Sequence, residues 1–241
     1  GCDLNTSLED MEQLMSLTPH VLAAVGSPVD ASAATAHGTL GAVEAVLGKD
    51  LSEAEPGRAL VHGCGAVGGT VARTLVDNGW TVFTVDLSRE RATFPGATPL
   101  PKGCPWWELN LDLVLPCSIS GLITAEMADE LQTKAVVPAA NAPFQKAPLA
   151  DELRNRGIPV LPDPLVNAGA VIADSIERFS PDAWKDAGAE DVYAFVRSEV
   201  RQRATEYLNQ RDQGMSVGEA LTEVAADTGN EPIGLSFGDT E

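Results

Sequence analysis

Arg58-Ala59-Leu60-Val61-His62-Gly63-Cys64-Gly65-Ala66-Val67-Gly68 joins a short apolar run to the glycine pattern G-x-G-x-x-G. The next apolar run, Trp80-Thr81-Val82-Phe83-Thr84-Val85, closes on an acid, Asp86, at roughly the 20-residue distance that this pattern expects. Strand, glycine turn, helix, strand and acid, in that order, make a dinucleotide-binding unit. Gly63 permits the tight turn off the strand, and Gly65 lets the backbone approach a pyrophosphate. Gly68 lets a helix from Val67 to Asp77 pack closely on the sheet. Cys64, Ala66 and Val67 complete the turn, and the helix N-terminus offers its unpaired N–H groups to the phosphates. Asp86 is expected to accept from the adenosine ribose hydroxyls, which favours NAD. Arg89 and Arg91 follow closely enough to soften the repulsion of a 2′-phosphate, so NADP is the alternative. The competing reading of the glycines is a tight turn in an ordinary α/β protein.

Outward from this unit, short apolar runs recur at Thr81 to Val85, Leu111 to Leu115, Ala135 to Val137 and Pro159 to Leu161. Helical stretches separate them. That rhythm predicts an α/β fold of Rossmann type, a doubly wound and mainly parallel sheet, followed by C-terminal helices. In such sheets ligands lie beyond the carboxyl ends of the strands. The segments to read are therefore Gly63 to Gly68, Asp86, Pro116 to Ser118, Ala139 to Asn141 and Pro162 to Asn167.

Upstream, Ser7 followed by Asp10 has the form of a capping box for a helix reaching Met15. Ala31 to Leu47 carries apolar residues at helical spacing, broken by Gly38 and Gly41, where another backbone or a ligand comes close. Downstream, Ala168 to Phe179, Asp191 to Arg211 and Ser216 to Asp227 read as helices.

Composition narrows the partners. The chain has 241 residues, with 16 basic against 35 acidic and a formal net charge of −19. That balance argues against nucleic acid and anionic membrane. No apolar run of about 18 residues and no basic leader is present, so a soluble, cytoplasmic protein is expected. Cys2, Cys64, Cys104 and Cys117 form no C-x-x-C pair and read as free thiols, with Cys64 and Cys117 as small buried residues. The histidines at 20, 37 and 62 show no ligand spacing with them, and no metal is expected.

Taken together, the strand-end segments resemble the Glu/Leu/Phe/Val amino acid dehydrogenase superfamily, with the leucine dehydrogenase branch nearest. Asp3-Leu4-Asn5-Thr6-Ser7-Leu8-Glu9-Asp10-Met11 resembles the segment bearing that family's catalytic aspartate, and Asp3 falls on it. Thr35 falls on the threonine that approaches the nicotinamide amide. Asp112 to Ser118 resembles the strand and turn beside the nicotinamide ribose, which brings in Cys117 and Ser118. Val136-Val137-Pro138-Ala139-Ala140-Asn141-Ala142-Pro143 is similar to the family's G-A-N-x-P stretch, with Ala139 in place of its glycine; Ala140 and Asn141 are its cofactor contacts. Pro162-Asp163 followed by Asn167-Ala168-Gly169 is the most specific match, and Asn167 is implied to face both nicotinamide and substrate. Each residue alone has a plainer reading. Asn141 and Asn167 could cap helices, Thr35 could bond its own backbone, and Asp3 could be a terminal acid.

The resemblance implies NAD-dependent oxidative deamination of an L-amino acid to its 2-oxo acid and ammonia, with Asp3 as proton shuttle and a homo-oligomeric parent enzyme. The residue governing the side-chain pocket falls on Asp174. A carboxylate there disfavours glutamate, so a leucine-like, branched-chain or other neutral substrate is expected; the plain alternative is an Asp174 that points to solvent. Two family lysines belong to a separate N-terminal domain. No lysine here (Lys49, Lys102, Lys134, Lys146 or Lys185) sits in a glycine-flanked context, and all five read as surface charge. Gly1 is not an initiator methionine, and a further domain before it is expected. The division expected is a hinge segment left from that domain at 1–30, an NAD-binding Rossmann domain at 31–180, C-terminal helices at 181–228 and a flexible acidic tail at 229–241. Two other readings stand beside the enzyme: a truncated, non-catalytic dinucleotide-binding paralogue or regulatory subunit, and another NAD-linked enzyme in which the asparagine motifs are coincidental.

Overall fold

A computed structural model describes residues 7–18, 20–22 and 25–226. Asp3, Cys2 and the tail from Asp227 onward lie outside the described residues.

The Ser7–Asp10 capping box opens helix α1 (Leu8–Leu17): Asp10 N–H donates to the Ser7 hydroxyl, and Ser7 N–H to the Asp10 carboxylate. Asp30 caps α2 (Ala31–Leu47) by accepting the Ala33 N–H at 2.8 Å, and Gly48, left-handed, ends it. The sheet begins with β1 (Arg58–His62), α3 (Ala66–Asp77) and β2 (Thr81–Val85). A short α4 (Arg89–Ala92) leads to β3 (Ala97–Pro99), and β4 (Leu111–Pro116), α5 (Ala125–Glu130) and β5 (Thr133–Val136) follow. After the sheet come α6 (Pro148–Asn155), α7 (Asp163–Val166), α8 (Gly169–Phe179), α9 (Pro181–Asp186), α10 (Ala189–Asp212) and α11 (Val217–Ala226). No described helix is long and apolar enough to cross a membrane.

All strand pairs are parallel, and their order is β3-β2-β1-β4-β5. This is the strand order of a doubly wound Rossmann-type sheet, in which successive strands are added outward from β1 on one side and then, from β4, on the other. Alternate side chains supply two cores. Ala59, Val61, Leu113 and Leu115 pack with Leu75 of α3, Ile172 and Ile176 of α8, and Val196 and Val200 of α10. Leu60, Val114 and Val136 face the other way, onto Trp106, Ala128 of α5, and Leu149 and Leu153 of α6.

α10 lies across α2 at close range. A Cβ on Gly41 would fall on the Arg197 carbonyl oxygen, which accounts for glycine inside a helix. Beside it the buried Glu44 accepts Arg197 through Nη2 at 2.7 Å and Nε at 3.1 Å, and takes the Leu51 N–H at 2.9 Å. A buried carboxylate is tolerable because each of its oxygens has a partner.

Two sequence expectations change. The strand expected at Pro159 to Leu161 is a single bridge, Val160 to Val136. Val136 N–H donates to the Pro159 carbonyl and Leu161 N–H to the Val136 carbonyl, but Pro159 and Pro162 lack the N–H needed to extend the ladder. In the other direction, β3 forms from three residues that carry no pattern of their own.

Candidate functional site

The carboxyl ends of β1, β2, β4 and β5 and the segment after Val160 meet on one side of the sheet. Gly63 leaves β1 with φ of 94°, and a Cβ there would sit 2.6 Å from Ser118 Cβ. A Cβ on Gly68 would fall on the Gly63 carbonyl oxygen, so the turn and the start of α3 close on each other only with both glycines. Gly65 faces open space. It is the N-cap of α3, and no side chain caps that helix. Ala66 and Val67 form its first turn, where backbone N–H groups have no intrahelical acceptor. This uncapped helix start, open at Gly65, fits a pyrophosphate.

Asp86 has a different first role from the one expected. Its Oδ2 accepts the Cys64 N–H at 2.7 Å and its Oδ1 the Ser88 N–H at 2.7 Å, while Arg91 Nε lies 3.7 Å from Oδ1. The carboxylate is 9% exposed and braces the glycine turn from beneath. Arg89 and Arg91 are exposed at the same strand end.

Cys64 and Cys117 flank the turn. Burial pushes the Cys64 thiol up to about 11 and the Cys117 thiol up to about 12. Both are neutral thiols; Cys64 is buried, as expected, while Cys117 is only partly buried. Ser118 Oγ lies 2.8 Å from Nδ1 of His62, whose ring tilts against Trp106. Burial holds the His62 imidazole below its ordinary value, against the opposing pull of Asp86. The sequence reading passed over His62 because it tested histidines only for metal spacing; its place immediately before Gly63 was the available signal.

On the far side, Asn167 Nδ2 donates to Asn141 Oδ1 at 2.7 Å and to the Ala139 carbonyl at 3.2 Å. The two asparagines are thus one paired unit, and neither is the N-cap of a helix; Asn167 stands at the C-cap of α7, its N–H donating to the Asp163 carbonyl at 3.0 Å. Ala140 N–H donates to the Pro116 carbonyl, tying this loop to the end of β4. Ala142, with φ of 43°, is the one non-glycine residue with positive φ among those described, and Asp163 Oδ2 holds it by accepting its N–H at 2.9 Å. Such strain concentrates at sites that must be held in one shape. Asp163 was visible in the sequence motif but had no role assigned to it.

Thr35 lies against the start of α8, with its Cα 2.7 Å from where a Cβ of Gly169 would stand. Its hydroxyl donates to the Ala31 carbonyl within α2 at 3.0 Å, the plainer of the two expectations. Asp174, further along α8, is half-buried, and burial pushes its carboxyl up to about 6. All five lysines are exposed. The structure therefore gathers the glycine turn, Asp86, Cys117, Ser118, Ala140, Asn141 and Asn167 at one crevice.

The family model described as glutamate/leucine/phenylalanine/valine dehydrogenase matches residues 86–228, more than half of the chain. The chain belongs to this dehydrogenase family. Among its relatives, a phenylalanine dehydrogenase of Bacillus thermotolerans is 28% identical over 195 residues, covering 74% of this chain and 50% of the relative. A leucine dehydrogenase of Bacillus subtilis is 26% identical over 191 residues, covering 75% and 52% respectively. The crystal structure of L-tryptophan dehydrogenase from Nostoc punctiforme superposes with a TM-score of 0.71 at 22% identity, over 93% of this chain and 65% of that one. That likeness speaks to the fold. The chain spans about half the length of the curated relatives it matches.

Proposed function

We propose that this chain forms the nicotinamide-dinucleotide-binding part of an amino acid dehydrogenase that deaminates a neutral L-amino acid to its 2-oxo acid and ammonia. The observation that carries the reading is the open, uncapped glycine turn facing the same crevice as the bonded Asn141–Asn167 pair. A bound nicotinamide supplies the hydride acceptor. The protein's part is to hold and orient. The turn receives the pyrophosphate, and Ser118, fixed by His62, lines the crevice at the end of β4. The Asn167–Asn141 pair presents a rigid amide edge toward nicotinamide and substrate, which favours a near-attack geometry. Asp3 is proposed as the group that moves protons.

Asp86 keeps lone pairs for a ribose hydroxyl, while Arg91 beside it offsets its charge. Both NAD and NADP are therefore proposed to bind, with NAD preferred. Asp174 is proposed to line the side-chain pocket. Ionised above about pH 6, it repels a glutamate side chain; at 4 Å the repulsion is worth about 1 kcal/mol in water and about 4 kcal/mol at an effective dielectric of 20.

Fluorescence titration of this chain with NADH and NADPH tests binding, and absence of quenching by both would refute it. Reduction of NAD with a panel of amino acids, on the protein expressed from its full reading frame, tests the reaction. Turnover of leucine, valine or phenylalanine above glutamate is expected. Binding without turnover would favour the non-catalytic paralogue, and a preference for glutamate would remove Asp174 from the pocket.

A further inference from the structure

At the opposite end of the sheet, the loop from Gly157 that enters the Val160 bridge meets the last turns of α10 around a cavity of about 200 Å³. The strands run away from this end, so it does not belong to the cofactor crevice. Ile158, Pro159 and Leu208 give it apolar walls, and its polar groups are Arg154, Tyr207 and Arg211, with the exposed Asp212 at the rim.

Tyr207 is 1% exposed, and its hydroxyl has no hydrogen bond of good geometry, with the Arg154 guanidinium the group that approaches it. A buried, unmatched hydroxyl is costly, on the order of 1–3 kcal/mol, and such groups ordinarily answer to a ligand or an ordered molecule. Arg154 is partly committed: Nε and Nη2 donate to the Val160 carbonyl, and Nη1 to Asp151. Arg211 uses one N–H, from Nη1, on the Met215 carbonyl, and its remaining donors are uncommitted. Burial raises the Tyr207 phenol and the Asp151 carboxylate adds to the rise, while the charges of Arg154 and Arg211 and the approach of the Arg154 guanidinium to its hydroxyl pull it back.

We propose that this cavity binds a small oxyanion, a phosphate or a carboxylate, on Tyr207 Oη and the free edge of Arg211, with Arg154 supplying further positive potential. Size and charge select the class. The volume is below the roughly 300–1,000 Å³ of drug-sized pockets, which excludes a dinucleotide and leaves room for a compact ion. The remaining Arg211 donors and the Tyr207 hydroxyl fit an oxygen anion, while Arg154 is already paired with Asp151 and the Val160 carbonyl.

The test is calorimetric titration of the whole chain with inorganic phosphate and, separately, with malonate, using chloride at equal ionic strength as the reference. Saturable binding of phosphate, malonate or both is expected, and which of them binds identifies the headgroup. Arg211→Gln should weaken it about tenfold or more, and Tyr207→Phe, which retains the ring and its packing, about fivefold. No binding, an equal response to chloride, or phosphate binding unchanged in both variants but abolished by Gly65→Ala would overturn the proposal. The last result would assign the anion to the glycine turn.

Discussion

Gly65 and Gly68 stand three positions apart in the same turn and are glycine for different reasons. Gly65 has empty space where a Cβ would go and an ordinary φ of −71°, so Gly65→Ala should fold with a stability change within about 0.5 kcal/mol. It should nevertheless weaken NADH binding severalfold, because the methyl would occupy the approach to the phosphates. Gly68→Ala puts a methyl on backbone and should cost about 1–3 kcal/mol in a urea titration, whatever its effect on binding. Equal losses in both variants would undo the distinction.

Asp174 gives a second test at this scale. Its folded value of about 6 is above the ordinary value of 3.8, so folding favours the neutral acid. The sign follows: the contribution is present below about pH 4 and lost as pH rises through about 6. Asp174→Asn should match the wild type near pH 4 and melt higher at pH 7, by a fraction of what the shift alone implies, since water screens a half-exposed group. A gain larger at pH 4 than at pH 7 would contradict the burial. Of the individual site residues, the sequence pattern conveyed the glycines, Ser118 and both asparagines. It did not convey that Asp86 braces the turn or that Asp163 pins Ala142, because both depend on where a loop closes in space.

Between elements, the seam of α2 and α10 is the decisive contact for the helical layer. Glu44→Ala leaves the Leu51 N–H and the Arg197 guanidinium without their acceptor, and a loss of about 3 kcal/mol is expected from denaturant unfolding. A loss under 1 kcal/mol would mean water replaces the carboxylate freely. Element boundaries were legible where local chemistry marks them. α2 is legible from the helical spacing of Ala31 to Leu47, with Asp30 and Gly48 capping it in the structure; the capping box marks the start of α1, which runs past Met15 to Leu17. The run Pro159 to Leu161 was apolar enough to pass for a strand, yet its prolines reduce it to one bridge. β3 was invisible because its three residues are ordered by pairing with β2, and no residue of the sequence marks that pairing.

For the whole molecule, a net charge of −19 on 241 residues is a self-repelling surface. Raising ionic strength from 0.01 M to 1 M shortens the screening length from about 30 Å to about 3 Å. The melting temperature should therefore climb with added sodium chloride, and a fall over that range would show that paired surface charges outweigh the repulsion.

The prolines that shorten the sheet have an effect on association. β3 ends at Pro99 on one flank, and Pro159 and Pro162 interrupt the ladder on the other. Among the described residues neither margin offers a long row of free backbone donors, which disfavours lateral growth into a continuous multi-chain sheet.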